Sequence, residues 1–228
     1  MSILRDIASD YRAAQERDPA ARGLSGSIAI WLCYPGFKAV IAYRFLHRLY
    51  KLPGMKLLAR VLAQTTRFFT GVEIHPAAQL GPGCFIDHGA GVVIGETAIV
   101  GANATLYQGV TLGGTGKETG KRHPTLGDNV VVGTGAKILG NIRVGDGAKV
   151  GAGSVVVRPV PDNCTVAGVP AVVVRREGKR VETGCNLDHA DLPNPLLQRV
   201  AELENEIQEL RERLERVERE RAEIASAR

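Results

Sequence analysis

Two short segments hold the side chains best suited to chemistry: Asp87-His88-Gly89-Ala90-Gly91 and Arg122-His123-Pro124. A histidine beside a carboxylate is the usual general-base arrangement, because imidazole titrates near neutral pH and the carboxylate steadies the cation that forms. Glu73 and Glu96 are further carboxylates in the same stretch, and His75 is a third histidine. A zinc site is the rival reading. It needs three or four converging ligands, and His75, His88 and His123 lack the close pair that such a site uses, so no metal is expected. The run Thr111-Leu112-Gly113-Gly114-Thr115-Gly116-Lys117 suggests that a ligand comes close to the backbone. It is not a P-loop, whose spacing and strand-to-helix context differ.

The element that positions these segments is a repeat. A large aliphatic residue recurs every six positions at Ile74, Leu80 and Ile86, then at Ile94, Val100, Leu106 and Leu112, then at Leu126, Val132, Ile138, Val144, Val150 and Val156. A glycine usually follows it, and a small residue (Ala78, Cys84, Ala98, Ala104, Ala136, Ala148, Ser154) often sits four positions on. Six is the period of neither a helix nor a simple strand. It is the period of hexapeptide parallel β-helices. Three hexapeptides make one triangular coil with the aliphatic residue inside, and coils stack at the strand spacing of about 4.8 Å. Stacking supplies the core that one coil lacks. The hand does not follow from the period, since parallel crossovers are normally right-handed. Cys84 fills a small-residue slot and reads as a packed thiol. The repeat breaks twice: eight residues separate Ile86 from Ile94 and fourteen separate Leu112 from Leu126. Insertions in a solenoid loop outward and often carry its binding face. His88 lies in the first and His123 in the second.

The flanks differ in texture. Residues 1–70 read as helical, with Ile3, Leu4, Ile7, Ala8 and Tyr11, and Val40, Ile41, Arg44, Phe45 and Arg48, at helical spacing. Breaks are expected at Pro19, across Gly23 to Gly26, at Pro35-Gly36 and at Pro53-Gly54. Residues 71–182 hold the repeat, and 183–228 read as a linker and a coiled-coil helix. In that tail Leu196, Val200, Leu203, Ile207, Leu210, Leu214, Val217 and Ile224 step by four and three, with Arg221 alone off register. One solvated helix is the alternative. The fold class is therefore α+β: helices, a parallel β-helix, then a coiled coil.

Composition narrows the function. Net charge is +5 without any nucleic-acid-binding motif, so no nucleic-acid partner is expected. The start lacks the pattern of a signal peptide. The apolar stretch from Ile28 to Leu49 is broken by Pro35, Lys38, Arg44 and Arg48 and falls short of a membrane span. Cys33, Cys84, Cys164 and Cys185 form neither a CxxC motif nor a disulfide framework. A cytoplasmic protein off the membrane is the expectation.

The motifs Gly-Val-Glu-Ile-His-Pro (71–76), Ile-Asp-His-Gly (86–89), Val-Ile-Gly-Glu-Thr (93–97), Gln-Gly-Val-Thr-Leu-Gly-Gly-Thr-Gly-Lys (108–117) and Lys-Arg-His-Pro (121–124), in this order, strongly resemble those of bacterial serine O-acetyltransferases. Gly-Ala-Lys-Ile-Leu-Gly-Asn-Ile (135–142) and Gly-Ala-Gly-Ser-Val-Val (151–156) fit as well, and the resemblance runs from about residue 11 to 182. It implies a left-handed β-helix that transfers acetyl from acetyl-CoA, a co-substrate, to the hydroxyl of L-serine, the first step of cysteine biosynthesis. It implies His88 as general base with Glu73 behind it, where much of the family has Asp. It implies Asp18 and Asp87 for the serine ammonium, and Arg122 and His123 for the carboxylate. Gly113, Gly114, Lys117, Gly135, Ala136, Ala152 and Gly153 would line the CoA site, with Lys137 and Lys149 as further candidates for its phosphates. It also implies a trimer or dimer of trimers with sites between subunits, and L-cysteine as feedback inhibitor. Many relatives dock a C-terminal Ile into O-acetylserine sulfhydrylase; here the last residues are Ile224-Ala225-Ser226-Ala227-Arg228, so that complex is not expected. Two other readings compete: a hexapeptide acyltransferase for a sugar or antibiotic, and a non-enzymatic β-helix scaffold. Asp18 and the Asp87-His88 pair favour an amino-acid acceptor, whose ammonium needs an anion.

Overall fold

The computed structural model describes residues 2–116, 119–176 and 178–180, together with Leu203, Ile207, Gln208, Arg211 and Arg213 of the tail. The chain divides into two units, Met1–Gly184 and Cys185–Arg228. The five described tail residues are helical; the rest of the expected coiled-coil seam lies outside the described residues.

Helices come first: α1 (Ile3–Arg17), a 3-10 turn (Pro19–Ala21), α2 (Gly23–Cys33), α3 (Pro35–Lys51) and α4 (Lys56–Thr70). Pro19 and Pro35 stand in the first turn of their elements, where the missing N–H would have had no partner. Asp18 joins α1 to the turn and accepts a hydrogen bond from the Ala20 N–H at 2.8 Å. The break expected to run from Gly23 to Gly26 stops at Gly23, whose φ is 75° where α2 begins, and Gly26 lies inside α2. A Cβ on Gly26 would sit 2.3 Å from the carbonyl carbon of Ala21. This glycine lets the helix lie against the preceding turn and does not end the helix. Among the described residues no single helix is long and apolar enough to cross a membrane, although α2 and α3 pass that test as a pair bent by 60°.

The repeat folds as coils of three short strands. The first coil is β1 (Glu73–Ile74), β2 (Gln79–Leu80) and β3 (Phe85–Ile86); the second is β4 (Val93–Ile94), β5 (Ile99–Val100) and β6 (Thr105–Leu106). Next come β7 (Thr111–Gly113), β8 (Thr125–Leu126) and β9 (Val131–Val132), then β10 (Lys137–Leu139), β11 (Arg143–Val144) and β12 (Lys149–Val150). The last coil has β13 (Val155–Val156) and β14 (Cys164–Gly168), with Val160 bridging to Val144 between them. Parallel pairing stacks these into three faces: β1-β4-β7-β10-β13, β2-β5-β8-β11 and β3-β6-β9-β12-β14.

The register puts like on like. Ile74, Ile94, Leu112, Ile138 and Val156 form one column, and Ile86, Leu106, Val132, Val150 and Val166 another. Leu80, Val100, Leu126 and Val144 form the third. All are buried, and each such side chain contributes roughly 1.5–3 kcal/mol of burial. Val160 and Val166 extend the columns past the last residue of the six-residue pattern, because the final coil is two residues short. The chain then turns back through antiparallel β15 (Ala171–Arg176) and β16 (Lys179–Arg180). Cys84 is fully enclosed, and burial pushes its thiol up to about 12.

The helices cap the open end of the first coil with polar side chains. Tyr43 donates to the Ala78 carbonyl at 2.6 Å and accepts from the Leu80 N–H at 3.2 Å. Arg44 donates to the carbonyls of Leu80 and Gly81, both at 2.6 Å, and forks onto Asp10 at 2.9 and 3.0 Å. Asp10 in turn accepts from the Cys84 N–H at 2.9 Å, and His47 Nδ1 lies 2.8 Å from the Pro76 carbonyl oxygen. Backbone groups that a further coil would have paired are thus satisfied from α1 and α3.

Candidate active site

The first insertion forms one edge of the prism. In successive coils Gly109, Gly135 and Gly153 donate to the carbonyls of Ala90, Gln108 and Thr134, each at 2.8 Å. Ala90, Gln108 and Thr134 are therefore equivalent corner positions, and His88-Gly89 is the extra pair. Four non-glycine residues have positive φ among the described residues; three are asparagines and the fourth is His88, at 55°. That conformation is uncommon for any residue with a Cβ and is often met at functional sites. The N-terminus of α3 presses on this bulge: a Cβ on Gly36 would lie 2.0 Å from the Ile86 carbonyl oxygen. Tyr34, the residue before α3, donates a short hydrogen bond to Asp18. Burial first, then Asp18 and Asp87, push its hydroxyl up to about 12. Tyr34 so stays a donor to Asp18, and it feels the Asp87 charge as well. It was not among the residues singled out from sequence, where it is only the residue before a Pro-Gly break.

His88 makes no side-chain hydrogen bond among the described residues. Val72 packs under Gly89, which brings neighbouring Glu73 to the same edge. The Glu73 carboxylate, however, is ion-paired with Arg67 at 3.2 Å, and no hydrogen bond joins it to His88. Gly135, Ala152 and Gly153 follow along this edge in later coils, with Ala136 buried just inside. Gln108 stands among them, and its Oε1 is buried with no partner among the described residues.

The second insertion folds onto the next edge. Arg122 pairs with Glu96 at 3.1 Å. His123 is 8% exposed, and Lys121 donates to its carbonyl oxygen. The Thr97 hydroxyl oxygen lies 3.0 Å from the Arg122 N, 3.1 Å from the His123 N and 2.9 Å from His123 Nδ1. The Thr97 N–H also points at Nδ1, at 3.2 Å. His75 accepts the Ala77 N–H at Nδ1, 3.1 Å away, and burial lowers its pKa. Added Cβ atoms on Gly113 and Gly114 would meet Leu139 and Arg122 at 2.9 and 3.2 Å, so these glycines make room for side chains. Lys117 lies outside the described residues. Lys137 donates to the Gly109 carbonyl at 2.5 Å and to Thr111 at 3.1 Å, and Lys149 is exposed. Among the described residues no three His, Cys, Asp or Glu side chains are placed to hold a metal ion. Among the described residues no hydrogen bond or ion pair joins the His88 edge to the His123 edge.

A hexapeptide solenoid whose outward loops present histidines and carboxylates, with no three of the described side chains placed to hold a metal ion, is an architecture that suits an acyltransferase. Consistent with that, the bacterial transferase hexapeptide (six repeats) family matches residues 123–158. A serine acetyltransferase of Synechococcus elongatus is 52% identical over 215 residues, covering 91% of this chain and 85% of that protein. The structure of Neisseria gonorrhoeae serine acetyltransferase in complex with serine superposes with a TM-score of 0.71 at 49% identity, covering 76% of this chain and 69% of that one. Solved serine acetyltransferases in complex with cysteine and with CoA give TM-scores of 0.72 and 0.70 at 46% and 44% identity, each covering 76% of this chain and 70% of the other. This chain belongs to the serine acetyltransferase family.

Proposed function

We propose that this protein transfers the acetyl group of acetyl-CoA to the hydroxyl of L-serine, giving O-acetyl-L-serine and CoA, the first step of cysteine biosynthesis from serine. Family membership over nine-tenths of the chain carries this reading. The clustering of Asp18, Tyr34 and Asp87 beside His88 agrees with it.

In the proposed step His88 removes the serine hydroxyl proton as the oxygen bonds to the thioester carbonyl carbon. That hydroxyl is too weak an acid to ionise unaided near neutral pH. The tetrahedral intermediate collapses by breaking its C–S bond, and His88 returns the proton to the departing sulfur. Glu73 serves as the carboxylate that orients and steadies the imidazolium, which requires it to turn from Arg67. Asp18 and Asp87 hold the ammonium. Arg122 and His123 receive the carboxylate, for which a guanidinium fork is well shaped. The CoA arm follows Gly135, Ala136, Ala152 and Gly153, with Gly113 and Gly114 beside it and Lys117, Lys137 and Lys149 toward the phosphates. L-Cysteine, which differs from serine only in its sulfur, competes for the same groups as a feedback inhibitor.

Because the two sets of side chains occupy different edges, we place the complete site between copies, in a trimer or dimer of trimers. The solenoid is then left-handed, spanning 71–182 between a helical region (1–70) and a linker with a coiled coil (183–228) that ties copies together. Use of acetyl-CoA supports a cytoplasmic location.

Thiol release from acetyl-CoA, measured with and without L-serine, tests the reaction. Release that depends on L-serine, and not on sugar or amine acceptors, is expected. A folded oligomer with no serine-dependent release overturns the assignment. The Gly95→Ala variant tests the second edge, because its Cβ would lie 2.0 Å from His123 Cδ2. The ring must move by an ångström or more, a displacement that can cost on the order of 10²-fold. Serine kcat/KM is expected to fall by that order while the fold persists.

A further inference from the structure

The bonding around Thr97 determines the protonation of His123. A backbone amide can only donate, so the Thr97 N–H at 3.2 Å makes His123 Nδ1 an acceptor. The Thr97 hydroxyl oxygen accepts from the backbone N–H groups of Arg122 and His123 at 3.0 and 3.1 Å. Both its lone pairs are then used, and its own proton is left to point at Nδ1, 2.9 Å away. Two donors thus converge on Nδ1, where an imidazolium would need a proton of its own. Among the described residues Nε2 makes no hydrogen bond to protein, and it lies over Gly95, where an added Cβ would be 2.1 Å from it. Nε2 is thus the ring nitrogen left to donate to a substrate.

We infer that Thr97 is a positioning residue that holds His123 as the neutral Nε2–H tautomer, so that His123 meets the substrate carboxylate as an uncharged donor while Arg122 alone supplies the charge. This rests on the serine-carboxylate reading of this edge given above.

The surroundings agree. Burial first, then Arg122 and Lys121, disfavour a charged His123; Glu96 favours it and His75 disfavours it, and the pKa comes out below the usual 6.5. A histidine lowered in this way stays neutral as pH falls through 6.5, where a solvated one becomes charged. Serine binding therefore gains nothing from His123 on mild acidification. An imidazolium at this position would tighten it.

Nitrogen-15 NMR of histidine-labelled protein without substrate tests the tautomer. Wild type is expected to show His123 with Nε2 protonated and Nδ1 bare at pH 7, with a midpoint below 6.5. In Thr97→Val the midpoint rises, and serine KM increases about tenfold, near the value of one hydrogen bond. Thr97→Ser restores both. A protonated Nδ1 in wild type overturns the inference, as do identical midpoints in the Val and Ser variants. The NMR readout needs no substrate, so it stands or falls separately from the identity of the acceptor.

Discussion

Replacing His88 with alanine is expected to lower serine-dependent CoA release by a factor of roughly 10² to 10⁴, the range for loss of a positioned general base. The loss should appear in kcat and kcat/KM together, because proton transfer belongs to the transition state. Position 88 adds a complication and also a control. Its φ is 55°, where alanine is strained, so a shifted bulge could imitate lost chemistry. Asparagine adopts that conformation readily and cannot act as a base at neutral pH. His88→Asn should therefore keep the bulge and still lose as much activity as His88→Ala. Release that matches wild type in the asparagine variant would remove His88 from the base role.

The second large effect concerns stability. Arg44→Met leaves the Asp10 carboxylate buried without its cation and leaves the carbonyls of Leu80 and Gly81 without donors. Removing one partner of a buried ion pair typically costs about 3–5 kcal/mol. Urea denaturation at fixed chain concentration, needed because assembly shifts apparent stability, should show a loss of that size. Arg44→Lys should recover little of it, since one ammonium cannot form a fork and reach two carbonyls at once. A loss under about 1 kcal/mol would mean that the helices do not depend on this network to hold the first coil.

Much of this was legible in sequence because the six-residue period is imposed locally, by one inward residue and one tight corner per strand. The same regularity exposed the two insertions, and the structure finds His88 and His123 in them. What the sequence hid depends on contacts between distant segments. Arg44 reads as one more basic residue on a helix, and only packing shows that it caps β2. Tyr34 and Thr97 carry no motif of their own; their roles come from the company of Asp18 and of the 122–123 loop. Gly26 reads as a break because glycine is a poor helix former, whereas here it answers to a neighbouring turn. Arg67 was likewise invisible as the partner of Glu73.

The way the solenoid ends has a consequence for solubility. A stack of parallel coils has two exposed rims, each a ready template for another chain, and unprotected rims invite fibre growth. Here one rim is occupied by Asp10, Tyr43, Arg44 and His47, and the other turns back on itself through a hairpin edged by the exposed Arg175, Arg176 and Lys179. A rim filled by side chains at one end and a basic hairpin at the other leave fewer free backbone groups for a further chain to pair with, and like charge on the hairpin opposes such pairing.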